Sequence, residues 1–171
     1  MSGEGGGLSR AQMISIVVLR VLIGWHFLYE GLSKLTTPAW SAAGYMLQSR
    51  GPFSAVFRWM AADPGVLSTV NQLNMWGLTA IGLGLVLGSF TRVASAAGLL
   101  VLLLFYLCNP PFVGYFYSIP TEGSYLVVNK NLVEAAALAV VFFTDSGRVL
   151  GLDRLIHGLL RGRSRPAEVR A

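Results

Sequence analysis

Four ionisable side chains interrupt a segment that is otherwise apolar and long enough to cross a membrane. Within residues 13–35 they are Arg20, His26, Glu30 and Lys34. At roughly 100° per residue, all four fall within about one third of a helix circumference. A charge near the bilayer centre costs about 2.5–3.5 kcal/mol on insertion scales, so such residues normally face a bundle interior or a cavity. The stripe therefore predicts a polar site inside the membrane.

Residues of the last span that lie at the same depth in the membrane are the predicted partners of side chains in this stripe. If the first span runs outward and the last runs inward, His26 lies level with Glu134 and Glu30 lies level with Lys130. Asn131 lies close to the same level. A carboxylate and an imidazole at membrane depth suit proton exchange with a redox-active, membrane-soluble ligand.

Two interpretations of these residues stay open. In the structural one, they form an interhelix ion-pair and amide network that fixes the helix register. In the functional one, they line a small cavity in the outer half of the bundle, where His26, Glu30 and Glu134 are catalytic and manage protons. The predicted ligand-binding residues are Arg20, Lys34, Lys130 and Asn131. Arg20 either reaches cytoplasmic headgroups or binds an anion, and Lys34 either reaches outer headgroups or turns towards the cavity mouth.

Composition places the chain in a membrane and excludes several classes of site. Of its 171 residues, 54% are hydrophobic and 12% are charged, whereas a soluble domain carries about 25% charged residues. The net charge of +5 comes with a cluster of arginines near the C-terminus, which indicates a cytoplasmic end and anionic-lipid contact rather than nucleic-acid binding. One cysteine excludes an intramolecular disulfide. We predict no haem, no flavin and no metal, because only one histidine lies in the core and two carboxylates are too few ligands.

The apolar runs predict an all-α fold, an integral membrane four-helix up-down bundle. The spans lie at about 12–35, 70–89, 92–107 and 125–144. With arginines at both ends of the chain, we expect both termini in the cytoplasm and the protein in the cell (inner) membrane. Within the second span, a small-residue face predicts close helix packing, in the bundle or in a dimer. That face consists of Asn74, Gly77, Gly84 and Gly88.

Three segments outside the spans have distinct patterns. Residues 1–11 are glycine-rich and predict a disordered tail that is retained rather than cleaved. Residues 36–69, on the outer face, predict two interfacial amphipathic helices, the first starting at Thr37-Pro38 and the second ending at Asp63-Pro64-Gly65. Residues 145–171 predict a cytoplasmic amphipathic helix and a basic tail.

Two of the spans carry a motif that resembles the DoxX/DoxD family of small four-helix membrane proteins. The first span reads Arg20-x-x-x-Gly24-x-x-Phe27-x-x-x-Gly31-x-x-Lys34-Leu35. The last span, with Asn131 and Glu134 in an apolar run, also resembles that family, so the resemblance covers roughly residues 10–145. It implies a relation to the small membrane subunit of a thiosulfate:quinone oxidoreductase. No catalytic role transfers from the family to a particular residue.

The residues and the resemblance together predict the membrane subunit of a quinone-linked oxidoreductase. It would bind a quinone in the polar cavity, coupled to oxidation of thiosulfate or another small sulfur compound. The expected partners are membrane lipid, a redox partner subunit and further copies in a homo- or hetero-oligomer. One alternative is a non-catalytic scaffold for a redox complex. Another is a small transporter or channel, which is disfavoured because the spans lack broken helix halves.

Overall fold

The computed structural model describes residues 8–118, 126–144 and 146–153. Its described residues form helices and no strands, as the sequence predicts. Three of these helices, α1, α4 and α5, are long and apolar enough to cross a membrane, which makes the chain a multi-pass membrane protein. The helices are α1 Arg10–Thr36, α2 Ala43–Leu47, α3 Ser54–Ala62, α4 Pro64–Leu87, α5 Thr91–Cys108, α6 Lys130–Phe143 and α7 Ser146–Val149.

Local capping chemistry sets where the long helices begin and end. Ser9 caps α1 in a reciprocal pair with Gln12. Asp63 accepts hydrogen bonds from the backbone of Gly65 and Val66, with proline at the next position, so α4 begins at Pro64. The second span therefore starts six residues before the predicted position 70. The Asp63-Pro64-Gly65 segment ends α3, as predicted, and also starts α4.

The predicted first outer helix is shorter than its periodicity indicated. Thr37 closes the end of α1 by donating its hydroxyl and its backbone N–H to Ser33 O, so it does not start a new helix. A turn follows, in which Ala39 has a positive φ of 54°. As a result α2 covers only Ala43–Leu47.

Helices α1 and α4 run antiparallel at very close range. Gly31 lies against Thr79, and Gly24 lies against Leu85. Between them, the backbone of Gly82 lies against that of Leu28. As the residue number rises along α1 it falls along α4, which is the antiparallel arrangement. Small residues permit this approach because no Cβ separates the two backbones.

This close seam does not use the small-residue face that the sequence predicted. Gly82 lies outside that face, whereas a Cβ at Gly77 would meet no atom within 4 Å. Gly84 lies against Ala94 of α5 instead of α1. Gly88 ends α4 with a φ of 65°, in the left-handed conformation that glycine adopts readily.

Helices α5 and α6 complete the apolar core. Gly98 of α5 lies against Leu138 of α6, and Arg92 lies 6.0 Å from the Phe142 ring. The core draws buried side chains from α1, α4, α5 and α6, among them Phe27, Leu78, Leu85, Leu102 and Leu138. These four named helices therefore surround one core.

Helix α6 is shorter than the predicted last span. Residues 126–129 form a turn, and the Asn129 side chain accepts a hydrogen bond from Leu132 N at 3.1 Å, so the helix begins at Lys130. Its 14 residues extend about 21 Å at 1.5 Å per residue. That is less than the bilayer core thickness of about 30 Å.

The segment 146–153 packs onto the α4–α5 turn. Asp153 accepts hydrogen bonds from Phe90 N at 2.6 Å and Thr91 N at 3.0 Å. Its own backbone N–H donates to Gly88 O at 2.9 Å. A residue 62 positions away thus caps the start of α5. Most of the predicted cytoplasmic amphipathic helix lies outside the described residues.

Replacing Asp153 with alanine is expected to lower the free energy of unfolding by about 1 kcal/mol, the usual cost of losing a helix cap. Two backbone N–H groups at the start of α5 would lose their acceptor. The thermal midpoint of the detergent-purified protein measures the effect. Asp153→Asn should lose less stability than the alanine variant, because its one side-chain oxygen can still accept one of the two hydrogen bonds. Equal stability of wild type and alanine variant would show that this contact does not cap α5.

Candidate functional site

A half-open cavity of about 570 Å³, here called the main pocket, lies at the end of the bundle that carries α2. Its walls come from α1, α2 and its flanks, α4, α5, the residues after α5, and the start of α6. Its apolar lining includes Phe27, Leu78, Leu102 and Phe105. Its polar lining includes side chains from the α1 stripe. The cavity thus combines an apolar surface with a few ionisable groups, as ligand sites commonly do.

An imidazole–carboxylate pair joins α1 to α6 beside the main pocket. His26 Nδ1 lies 2.7 Å from Glu134 Oε1, although 108 positions separate the two residues. The His26 side chain is 35% exposed and lines the pocket, whereas the Glu134 side chain is 10% exposed. This is the pairing that the depth argument predicted. The carboxylate lies behind the ring and fixes its orientation.

The second oxygen of this carboxylate has a different environment from the first. Glu134 Oε2 is buried and has no hydrogen-bond partner among the residues that the structure describes. Buried polar atoms are normally paired, because an unpaired one costs free energy. Seven other buried side-chain atoms of the described residues are also unpartnered, so this atom alone does not distinguish a structural pair from a functional one.

Glu30 pairs within its own helix. Its carboxylate accepts from the Lys34 ammonium one turn later, and the Lys34 chain also packs over the Trp40 ring, 5.6 Å from its centroid. The predicted level partner Lys130 interacts electrostatically with Glu30, whose ion pair is with Lys34. Lys34 is only 15% exposed, so it turns towards the pocket rather than to headgroups.

The first turn of α6 contributes two more predicted ligand-binding residues. Lys130 and Asn131 both line the main pocket. Lys130 is exposed, and it is close enough to interact electrostatically with His26. The structure therefore brings six of the predicted site residues together at one end of the bundle. They are His26, Glu30, Lys34, Lys130, Asn131 and Glu134.

Arg20 is not part of this group. Its side chain is buried, with 2% exposure, near the α4–α5 turn at the other end of the bundle. Nη2 donates to Leu150 O at 2.7 Å, and Asp153 interacts with it electrostatically. Nε and Nη1 of Arg20 have no hydrogen-bond partner among the described residues, and its two predicted alternatives, headgroup contact and anion binding, stay predictions. Arg20 also ties the segment after α6 to α1.

Sequence reasoning missed several polar residues of the main pocket, among them Tyr45, Asn74 and Asn109. Tyr45 donates its hydroxyl to Phe105 O at 3.0 Å, and Asn109 donates its amide to Tyr45 O at 3.1 Å. Burial raises the pKa of the Tyr45 hydroxyl above its ordinary value, so it remains a donor at neutral pH. Asn74 lines the same pocket from α4. The signal for this residue in the sequence is an asparagine within an apolar run, four residues before Leu78. It lies on the small-residue face, which predicted helix packing instead of a site.

The described side chains contain no group of three or more histidine, cysteine, aspartate or glutamate residues that could bind one metal ion. The lone cysteine, Cys108, is buried behind α2, where Ser49 donates to its carbonyl. The ionisable side chains at the site are paired, His26 with Glu134 and Glu30 with Lys34.

A family comparison agrees with this architecture. The model of the DoxX family matches residues 15–108, more than half of the chain. The match contains His26, Glu30 and Lys34 and ends with α5, so the resemblance noted for α6 lies beyond it. Comparison with curated proteins and with solved structures gives no significant match. The extent of the family match establishes that the chain belongs to the DoxX family.

Proposed function

We propose that this DoxX protein is the membrane subunit of a quinone-linked oxidoreductase and binds a quinone, or a similar small redox ligand, in the main pocket. The observation that carries the proposal is the His26–Glu134 pair beside a largely apolar cavity. A histidine held by a carboxylate is a group suited to proton exchange. The cavity volume of about 570 Å³ lies within the range of roughly 300–1,000 Å³ that ligand pockets occupy.

Different side chains of the main pocket handle protons and orient the ligand. A bound quinone supplies the redox chemistry, since its reduction takes up two electrons and two protons. His26 engages Glu134 through Nδ1, so Nε2 is the nitrogen that can pass a proton to a ligand oxygen. Glu134 stabilises the ring when it is protonated. Glu30 is a second proton carrier, and its pairing with Lys34 keeps its charge compensated.

The apolar and amide side chains account for the remaining recognition. Phe27 and Phe105 can contact the faces of a planar ring. Lys130 and Asn131, at the start of α6, are placed to hydrogen-bond a carbonyl oxygen. We assign them the orienting role. Arg20, at the other end of the bundle, is assigned the role of holding the segment after α6 against α1.

The proposal includes a placement in the membrane. Helix α6 would act as the fourth span of an up-down bundle, with both termini in the cytoplasm and α2 and α3 at the outer interface. The arginines near the chain ends support this orientation. By the family resemblance, a redox partner subunit would supply electrons from thiosulfate or another small sulfur compound.

The test is to extract the detergent-purified protein with organic solvent and to measure bound quinone by mass spectrometry. We expect about one quinone per chain, lost in the double variant His26→Ala/Glu30→Gln. Tyr29→Phe is the matched control, because Tyr29 lies on the same helix and is 62% exposed, away from the pocket lining. Absence of quinone from folded wild-type protein would overturn the proposal. The scaffold alternative would then be tested by pull-down of a partner.

A further inference from the structure

A second cavity, here called the arginine groove, lies next to the main pocket and has a different character. Its volume is about 490 Å³, and its lining includes Arg50, Arg58, Gln48 and Ser118. None of the acidic residues in the described ranges lines it. Two positively charged side chains that line one groove attract anions to it.

The two cavities share a thin wall. Tyr115 and Tyr117 line the main pocket, whereas Phe116 and Ser118 line the arginine groove. This alternation is expected of extended chain, in which successive side chains point to opposite sides. Gln48 fixes the wall, because its side-chain oxygen accepts from Ser118 N at 2.6 Å. The groove is therefore one layer of residues away from the main pocket.

Both arginines that line the groove are exposed. Arg58 Nη2 donates to Ser54 Oγ at 3.0 Å and Nε donates to Ser54 O at 3.3 Å, which holds the guanidinium against α3. Arg50 is exposed and lies close enough to Tyr117 to oppose the burial that raises the pKa of its hydroxyl. Guanidinium groups match the oxygen geometry of tetrahedral oxyanions and bind them with charge-assisted hydrogen bonds.

We propose that the arginine groove binds a tetrahedral oxyanion between Arg50 and Arg58, at a site separate from the main pocket. Two kinds of ligand present a tetrahedral oxyanion: a free inorganic oxyanion and the phosphate of a phospholipid headgroup. The polar floor of the groove, with Gln48, Ser49 and Ser118, fits either source. The site stands whether or not the main pocket binds quinone, because no residue of the α1 stripe takes part.

The test is calorimetric titration of inorganic phosphate into the full chain, purified in a maltoside detergent that contains no phosphate. Chloride is exchanged for phosphate at constant ionic strength. We expect saturable binding that weakens at least tenfold in Arg50→Gln and in Arg58→Gln. Arg10→Gln is the control, since Arg10 is an exposed arginine outside both cavities, and it should bind as wild type does.

Adding phosphatidylglycerol to the micelles separates the two sources. Loss of phosphate binding would assign the site to a lipid headgroup, whereas unchanged binding would assign it to a free oxyanion. The proposal is overturned if wild-type protein shows no saturable binding in the absence of lipid. It is also overturned if Arg10→Gln weakens binding as much as the groove variants do. Thermal midpoints of the variants verify that each remains folded.

Discussion

Gly82→Ala is expected to destabilise the membrane domain by about 2–3 kcal/mol or to prevent its assembly, in line with the cost of overpacking. The added Cβ would lie 2.6 Å from Leu28 Cα and 2.7 Å from Gly24 O. Both are backbone atoms of α1, so neither can rotate away. The two helices would have to separate along the seam that also buries Phe27 and Leu85.

The measurement is the thermal midpoint and the monodisperse yield in detergent, compared with Gly77→Ala. That control introduces the same methyl group on the same helix, where nothing lies within 4 Å. It should be neutral or slightly stabilising, because alanine favours helix over glycine by up to about 1 kcal/mol. If the two variants lost stability equally, the close α1–α4 seam would be refuted.

Glu134→Gln is expected to slow quinone reduction about 100-fold or more at neutral pH, the lower end of what acid–base catalysis contributes. Glutamine keeps the shape of the side chain and can still hydrogen-bond His26 Nδ1, so the ring should hold its place. What is lost is the negative charge that stabilises the protonated ring. Bound quinone, measured by extraction, should change less than threefold.

The rate should be measured across pH in the complex that contains the electron-donating partner. A proton role predicts that the pH dependence of the rate changes in Glu134→Gln and in His26→Gln. Asp63→Asn is the matched carboxylate-to-amide control, since Asp63 is an exposed helix cap and asparagine caps equally well. Unchanged turnover in Glu134→Gln would show that the His26–Glu134 pair is only a structural link between α1 and α6.

Much of the site follows from periodicity and depth. The stripe of ionisable residues predicted one polar face on α1, and the match in depth predicted the contact of His26 with Glu134. For Glu30, Lys130 lies within electrostatic range, while Lys34, one turn away on the same helix, forms the ion pair locally. A local partner needs no second helix to be in register.

Sequence reasoning missed the contacts between residues that are far apart in the sequence and the contacts between closely packed helix backbones. Asp153 caps α5 from 62 positions away, which no capping pattern near Thr91 indicates. Gly82 faces α1 because of the crossing geometry, which a helical wheel of α4 alone does not contain. The late start of the first outer helix was also missed, since Thr37 caps the helix before it rather than the one after it.

The sequence by itself determined the all-α membrane class, the apolar helices and the polar face of α1, because these depend on composition and on a 3.6-residue period. Tertiary structure alone decided which polar groups meet. It placed Tyr45, Asn74 and Asn109 in the main pocket and brought Arg20 into contact with Leu150. The physical reason is that a cavity forms where several helices and loops pack together, and the distances between them are set by backbone contacts that no single segment encodes.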